Sequence, residues 1–174
     1  ADINKADLRK NENGKWECFG GVSCDSGNSC GGGRADDDCE GKDKDEKIYF
    51  SISHTENVVA VAIAKLPVGA DIEKTTRTVK EGLFGRIATE EERREFSSSP
   101  TREDVLRLWT AKESVFKRDG GRIFRPQVIN SLAENVKTVV LNEYGLIVSV
   151  ACEQEFVTEI NIVESKDGRF GERR

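Results

Sequence analysis

The 174-residue sequence has no methionine and only one histidine, His54. It also lacks any apolar run of about 18 residues, the length that a membrane-spanning helix needs. The longest apolar stretch, Val58 to Ala64, suits a strand, so a membrane span is excluded as an expectation. The opening Ala1-Asp2-Ile3-Asn4-Lys5 is polar and has none of the character of a secretory signal, which makes the expected location cytoplasmic. The absent initiator methionine leaves processing or truncation of the N-terminus open. A basic excess is missing as well. Net charge is −5 with 34% charged residues of both signs, which argues against a general nucleic-acid binder. A small anionic ligand stays compatible, because a local group of Lys and Arg can act against the global sign.

Metal-ligand spacing is the next absence. Cys18, Cys24, Cys30 and Cys39 are separated by five, five and eight residues, with no two-residue spacing and no histidine nearby. Without a secretory signal, disulfides are disfavoured. The segment from Cys18 to Glu46 includes Gly31-Gly32-Gly33 and Asp36-Asp37-Asp38 and has no apolar period, so it reads as a flexible insertion. A metal-dependent interaction site and a disulfide staple are the alternatives for those cysteines.

The length suits one domain, spanning 1–174. Residues 1–17 are mixed polar, with a turn at Gly14-Lys15. Ile48, Phe50 and Ile52 alternate with polar residues as in a strand. Glu56-Asn57 is a turn, and Val58 to Ala64 reads as a β-branched strand buried on both faces. Val68 to Glu73 reads as a third strand, completing an antiparallel meander. A helix is expected over Val79 to Ile87. Thr89 with Glu92 forms a capping box for another, which Ser97-Ser98-Ser99-Pro100 ends. Thr101 to Asp104 opens a long helix over 101–118, with Val105, Leu108, Trp109, Val115 and Phe116 as its apolar stripe. Val136 to Leu141, Leu146 to Cys152 and Phe156 to Val163 are strand-like, with a hairpin turn at Asn142-Glu143-Tyr144-Gly145. Strands, then helices, then strands make an α+β chain. A faint echo between Tyr49–Ala64 and Leu146–Ile162 hints at two equivalent halves.

Asp71 and Glu73 stand two apart on a strand, so both carboxylates point to one face. Gly69 just before them permits close approach of a backbone or a ligand. Such a pair, joined by a third carboxylate, suits Mg²⁺ that keeps waters and binds phosphates. Glu113 and Lys117 are one helical turn apart, with Trp109 a turn earlier near the same face. His54 ends a strand beside Ser53 and could act as a base or donate to a phosphate. Taken singly, each is as easily a solvated charge pair or a turn-capping side chain.

Taken in order, Phe50-Ser51-Ile52-Ser53-His54-Thr55, Val68-Gly69-Ala70-Asp71-Ile72-Glu73 and Trp109-Thr110-Ala111-Lys112-Glu113-Ser114-Val115-Phe116-Lys117 resemble the 4′-phosphopantetheinyl transferase superfamily. The block order is similar to its surfactin-synthetase-activating type. In the shorter trimeric holo-acyl-carrier-protein synthases, the Asp block comes near the start and the Ser-His block near the end. The resemblance runs from about residue 4 to about residue 163, with 18–46 as an insertion. Members of this type usually carry several dozen further residues ahead of these blocks, so it implies a shortened N-terminal half. It implies the family's fold, two pseudo-equivalent halves of antiparallel strands packed with helices.

The resemblance also implies a reaction. The phosphopantetheine arm of coenzyme A passes to a Ser of an acyl or peptidyl carrier protein, releasing 3′,5′-ADP. Asp71, Glu73 and Glu113 would hold Mg²⁺. Glu113 would be the candidate base, directly or through water, and Lys117 would neutralise charge on the phosphate. Ser53, His54 and Lys15 (the last in a segment that, with Asp7-Leu8-Arg9, resembles the one preceding the Ser-His block) would grip coenzyme A together with Lys117. Replacing Asp71 by Ala is expected to abolish transfer without disturbing the fold. Clients would come from fatty acid biosynthesis or secondary metabolism. An acidic carrier surface would meet Arg86, Arg93, Arg94, Arg118, Arg122 and Arg125. The alternative is a non-catalytic module that binds coenzyme A or a carrier protein. Oligomeric state is left open.

Overall fold

A computed structural model describes residues 6–10, 16–20, 47–96, 99–156, 158–166 and 169–172. Its elements, in chain order, are β1 (Ala6–Lys10), β2 (Trp16–Gly20), β3 (Lys47–Thr55), β4 (Val58–Ala64) and β5 (Val68–Lys74). Helices α1 (Leu83–Ile87), α2 (Glu90–Glu95) and α3 (Arg102–Asp119) follow. The chain continues through β6 (Val136–Leu141), β7 (Leu146–Cys152), β8 (Val163–Lys166) and β9 (Arg169–Glu172). No helix among the described residues is long and apolar enough to cross a membrane.

The strands form three antiparallel groups, ordered β1-β2-β3-β4, β5-β7-β6 and β8-β9. β5 therefore does not complete a meander with β3 and β4. It leaves their sheet and pairs along its whole length with β7, from Val68 opposite Cys152 to Lys74 opposite Leu146. Pro67, which has no amide hydrogen to offer a ladder, lies in the short connection where the chain changes sheets. Side-chain bonds still bridge the two sheets, and in one of them the Ala70 amide donates to the buried Ser51 hydroxyl at 3.0 Å.

The strand alternation in β3 holds, but its core side is the serine side. Ser51 and Ser53 are buried and Ile52 is 55% exposed. Opposite them in the ladder lie Ala62 and Ala60, so a small-residue surface faces β5 and lets it approach. Val59, Val61 and Ile63 point the other way, Ile63 being 70% exposed. β4 is thus not buried on both faces, since no described element covers its branched residues.

Helix α3 carries the core. Val105, Leu106, Leu108, Ala111 and Val115 are buried with Ile72 of β5, Ile147 of β7 and Ile87 of α1. The capping box expected for Thr89 with Glu92 is present, and Thr101, expected to open the long helix, forms a second one with Asp104. Gly120, in the left-handed region at φ 66°, ends α3. Phe124 folds back to cap the partly buried Trp109 and Phe116, with ring centroids 5.4 and 5.2 Å away. The helix expected over Val79 to Ile87 begins only at Leu83, because Gly82 takes φ 74° and breaks the run before it.

β5 and α3 pack closely against each other. A Cβ on Gly69 would lie 1.9 Å from the Ser114 carbonyl oxygen and 2.4 Å from the Arg118 amide nitrogen. The glycine is there for the helix backbone. A chain of hydroxyls ties the same helix to β7 and β6: Ser149 Oγ lies 2.7 Å from both Thr110 Oγ1 and Thr138 Oγ1.

The hairpin turn expected between β6 and β7 is present, and among the described residues the strand expected over Phe156 to Val163 is not. Asn142–Tyr144 form a short 3₁₀ turn, with Gly145 in the left-handed region, between β6 and β7. No strand covers residues 158–162, although Ile160 and Ile162 alternate with polar residues, and β8 starts at Val163. At the other end, the polar N-terminal segment forms β1 and β2, with Cys18 opposite Ile48 of β3. The stretch 18–20, which composition groups with the insertion, is therefore strand. Cys24, Cys30 and Cys39 lie outside the described residues.

Candidate functional site

One cleft is lined by Ile52, Ser53, His54, Asp71, Glu73, Arg77, Trp109, Glu113 and Lys117. Six of these are the residues singled out from sequence, Ser53, His54, Asp71, Glu73, Glu113 and Lys117. Lys15 lies outside the described residues. Three elements build the site. The serine side of β3 brings Ser53, alternate residues of β5 bring Asp71 and Glu73, and three successive turns of α3 bring Trp109, Glu113 and Lys117. Gly69 sets the depth, since only without a Cβ can β5 lie against the backbone of the turn that carries Lys117.

Asp71 is the innermost member. It is 5% exposed, so it is an interior carboxylate and not the solvent-facing strand end that the expectation for Asp71→Ala assumed. Its Oδ1 accepts from the Ser53 hydroxyl at 2.8 Å and from Lys117 Nζ at 2.7 Å. Lys117 Nζ also donates to Ser53 Oγ at 3.0 Å, closing a triangle between β3, β5 and α3. The second oxygen, Asp71 Oδ2, is buried without a hydrogen-bond partner. A buried carboxylate oxygen left in this state costs free energy, on the order of 1–3 kcal/mol, unless something else meets it.

Glu113 sits half-buried beside this group. Burial raises its carboxyl pKa, the Asp71 charge raises it further, and Lys117 and Arg77 pull it back only in part. Glu73 turns its carboxylate to Arg77, four residues on. The cleft therefore carries three carboxylates against two fixed cations. His54 alternates with Ser53 and is exposed, reaching the cleft only at its rim.

The donor chemistry fits a hard divalent cation: three carboxylates, one of them with a buried, unmet oxygen, and a residual negative charge. As the side chains stand, however, no three or more His, Cys, Asp or Glu among the described residues converge on one point. The reason is visible in the ion pairs, because Lys117 holds one oxygen of Asp71 and Arg77 holds Glu73.

Two features of the site escaped the sequence reading. Arg77 has no motif signal of its own, although its spacing from Glu73 could have suggested the pair. Lys112, next in sequence to Glu113, forms an ion pair with Glu92 at 2.6 Å, both wholly buried. Glu92 was legible only as a capping residue, and Lys112 only as a member of a motif. Of the arginines expected to meet a carrier, Arg118 is largely buried against Asp119, Glu134 and the Cys152 carbonyl, so it is not part of an open basic surface. Arg86, Arg93, Arg94, Arg122 and Arg125 are exposed.

Residues 67–149 match the model of the 4′-phosphopantetheinyl transferase superfamily. The match takes in Asp71, Glu73, Glu113 and Lys117 and leaves out the Ser53-His54 block. No curated protein matches the chain. The mixed α/β architecture, with antiparallel sheets packed on helices, is consistent with a fold of that type.

Proposed function

We propose that this protein transfers the 4′-phosphopantetheine group of coenzyme A to a serine of an acyl or peptidyl carrier protein, with release of 3′,5′-ADP. The observation that carries the reading is the Asp71–Lys117–Ser53 triangle beside Glu113, inside the stretch that matches the superfamily in all but Ser53. Transfer of this kind needs positioning and charge neutralisation more than covalent catalysis. The cleft offers both.

In this reading Asp71, Glu73 and Glu113 would hold Mg²⁺, and the unmet Asp71 Oδ2 is a reason to expect a cation there. When bound, the ion supplies neutralising charge at the pyrophosphate. Lys117, already aimed into the cleft, offsets charge on the phosphate as the bond to the leaving nucleotide breaks. Ser53, His54 and Lys15 orient coenzyme A. The carrier Ser Oγ forms the new bond to the phosphorus bearing the pantetheine arm, and 3′,5′-ADP departs with the bridging oxygen. The serine proton passes to Glu113, directly or through water; a carboxylate that holds Mg²⁺ is a weaker base than a free one, which favours the route through water. The exposed arginines Arg86, Arg93, Arg94, Arg122 and Arg125 are candidates for the carrier's acidic surface.

The test is incubation of the chain with coenzyme A, Mg²⁺ and a panel of apo carriers, read by mass spectrometry. A carrier heavier by one phosphopantetheine supports the reading. No mass gain on any carrier overturns it, and coenzyme A binding without transfer leaves a binding module in its place.

A further inference from the structure

The cleft holds one charged side chain to which the proposed transfer assigns no task. Arg77 lies just beyond β5, in a turn fixed by its own amide bonding to the Lys74 carbonyl at 3.0 Å and by the Thr75 amide bonding to Gly145 O at 2.9 Å. That turn sends the guanidinium back over the cleft, where it pairs with Glu73. It also stands 5.6 Å from the centre of the Trp109 ring, within the range of a cation–π contact. Its charge is felt at Glu113 as well.

Arg77 thus sits where the three carboxylates need positive charge. The two cations of the cleft differ in how firmly they are held. Lys117 is bound to Asp71 and to Ser53 and is mostly covered. Arg77 is paired with the Glu73 carboxylate and has a side chain 45% exposed. An adjoining cleft, lined by Thr55, Glu56, Glu73, Lys74, Thr76, Arg77 and Thr78, opens on its other side. Arg77 has room to leave, and Lys117 does not.

We infer that Arg77 is a displaceable internal counter-ion, which neutralises Glu73 in the cation-free protein and must be pushed aside when a divalent cation binds. The inference rests on reading Asp71, Glu73 and Glu113 as the cation-holding group. The independent support for that group is the buried, unpartnered Asp71 Oδ2. Arg77 then keeps the acidic cluster from self-repulsion while the site is empty, and makes cation binding weaker than the carboxylates alone would give. Trp109 steadies the guanidinium in its resting place.

The experiment is Mn²⁺ binding to the full chain without coenzyme A, with free Mn²⁺ measured by electron paramagnetic resonance. Arg77→Gln should bind about three- to tenfold more tightly than the unaltered protein, because a competing ion pair and a like charge are removed. Arg77→Lys should stay near the unaltered protein, and Glu73→Gln should bind more weakly. In thermal melts, Arg77→Gln should be less stable than the unaltered protein without cation, and the gap should narrow with saturating Mn²⁺. Tighter binding by Arg77→Gln where the unaltered protein binds barely or not at all also supports the inference. Equal or weaker binding by a folded Arg77→Gln, when the unaltered protein does bind, overturns the inference and leaves the cation site standing. Absence of binding by both overturns the cation site and the inference with it.

Discussion

Replacing Lys112 by Met should destabilise the protein far more than the loss of one helical lysine normally does. All three ammonium protons of Lys112 are placed: Glu92 Oε2 at 2.6 Å, the Pro126 carbonyl at 2.9 Å and the Ile129 carbonyl. Glu92 is met in return by the Ser131 amide at 2.8 Å, the Ser131 hydroxyl at 2.6 Å and the Thr89 amide at 2.8 Å. The two partners' pKa shifts weigh this pair differently. At Glu92, burial alone would raise the value, but the bonds from Lys112, Ser131 and Thr89 win and lower it. At Lys112, burial wins over the attraction of Glu92 and lowers the value. The two directions oppose each other, as expected where desolvation offsets attraction in a buried pair, and the cost appears when one side is removed. Lys112→Met keeps the stem but leaves Glu92 charged in the interior and takes one donor from each of the Pro126 and Ile129 carbonyls. The expected loss is about 3–5 kcal/mol. For a chain of this size that lowers the melting temperature by about 6–20 °C. Urea denaturation of the single variants and of Glu92→Gln/Lys112→Met measures it, and the double variant should lose less than the two singles added together. A loss below about 1 kcal/mol for Lys112→Met would refute the reasoning, since that is the scale of an exposed pair.

Further outcomes follow from the same geometry. Because Glu92 binds fewer protons folded than unfolded, its contribution to stability is full above the ordinary value of 4.5 and is lost as pH falls through its lower folded value. Acid titration of stability should therefore show a step below that pH which Glu92→Gln lacks. Gly69→Ala should cost about 3 kcal/mol or more, because the new methyl would meet helix backbone and not a movable side chain; an unchanged melting temperature would contradict the close approach of β5 and α3. Ser149→Ala should cost about 1–3 kcal/mol by removing the hydroxyl that links the buried Thr110 to the half-buried Thr138, read in the same melts. Asp71→Asn, which keeps the shape and removes the charge facing Lys117, should retain the circular dichroism spectrum of the fold while losing transfer to carriers. It is a cleaner probe than Asp71→Ala, which would open a gap in the interior.

The local signals were legible in the sequence where a single element suffices. Both capping boxes, the span of α3, β6, β7 and the turn at Gly145 follow from short-range chemistry. Glycine before Asp71 announced a close approach, and the neighbour proved to be the α3 backbone. What the alternation of β3 cannot say is which side faces inward. Ile48, Phe50 and Ile52 look like the core side, yet Ser51 and Ser53 are buried because the interior there is a polar site that needs hydroxyls. The assignment of β5 to β7 was invisible for a similar reason: strand pairing over some 80 positions leaves no periodic trace in either strand. Arg77 and the Lys112–Glu92 pair escaped because buried or bridging charges look in sequence like any solvated residue.

The central claim is tested most directly by the carrier assay. With coenzyme A, Mg²⁺ and apo carriers, the unaltered chain should add one phosphopantetheine to at least one carrier. Asp71→Asn and Glu113→Gln, each shown to be folded, should add none. A folded, unaltered chain that modifies no carrier in the panel would contradict the account, as would a Glu113→Gln variant that transfers at the unaltered rate.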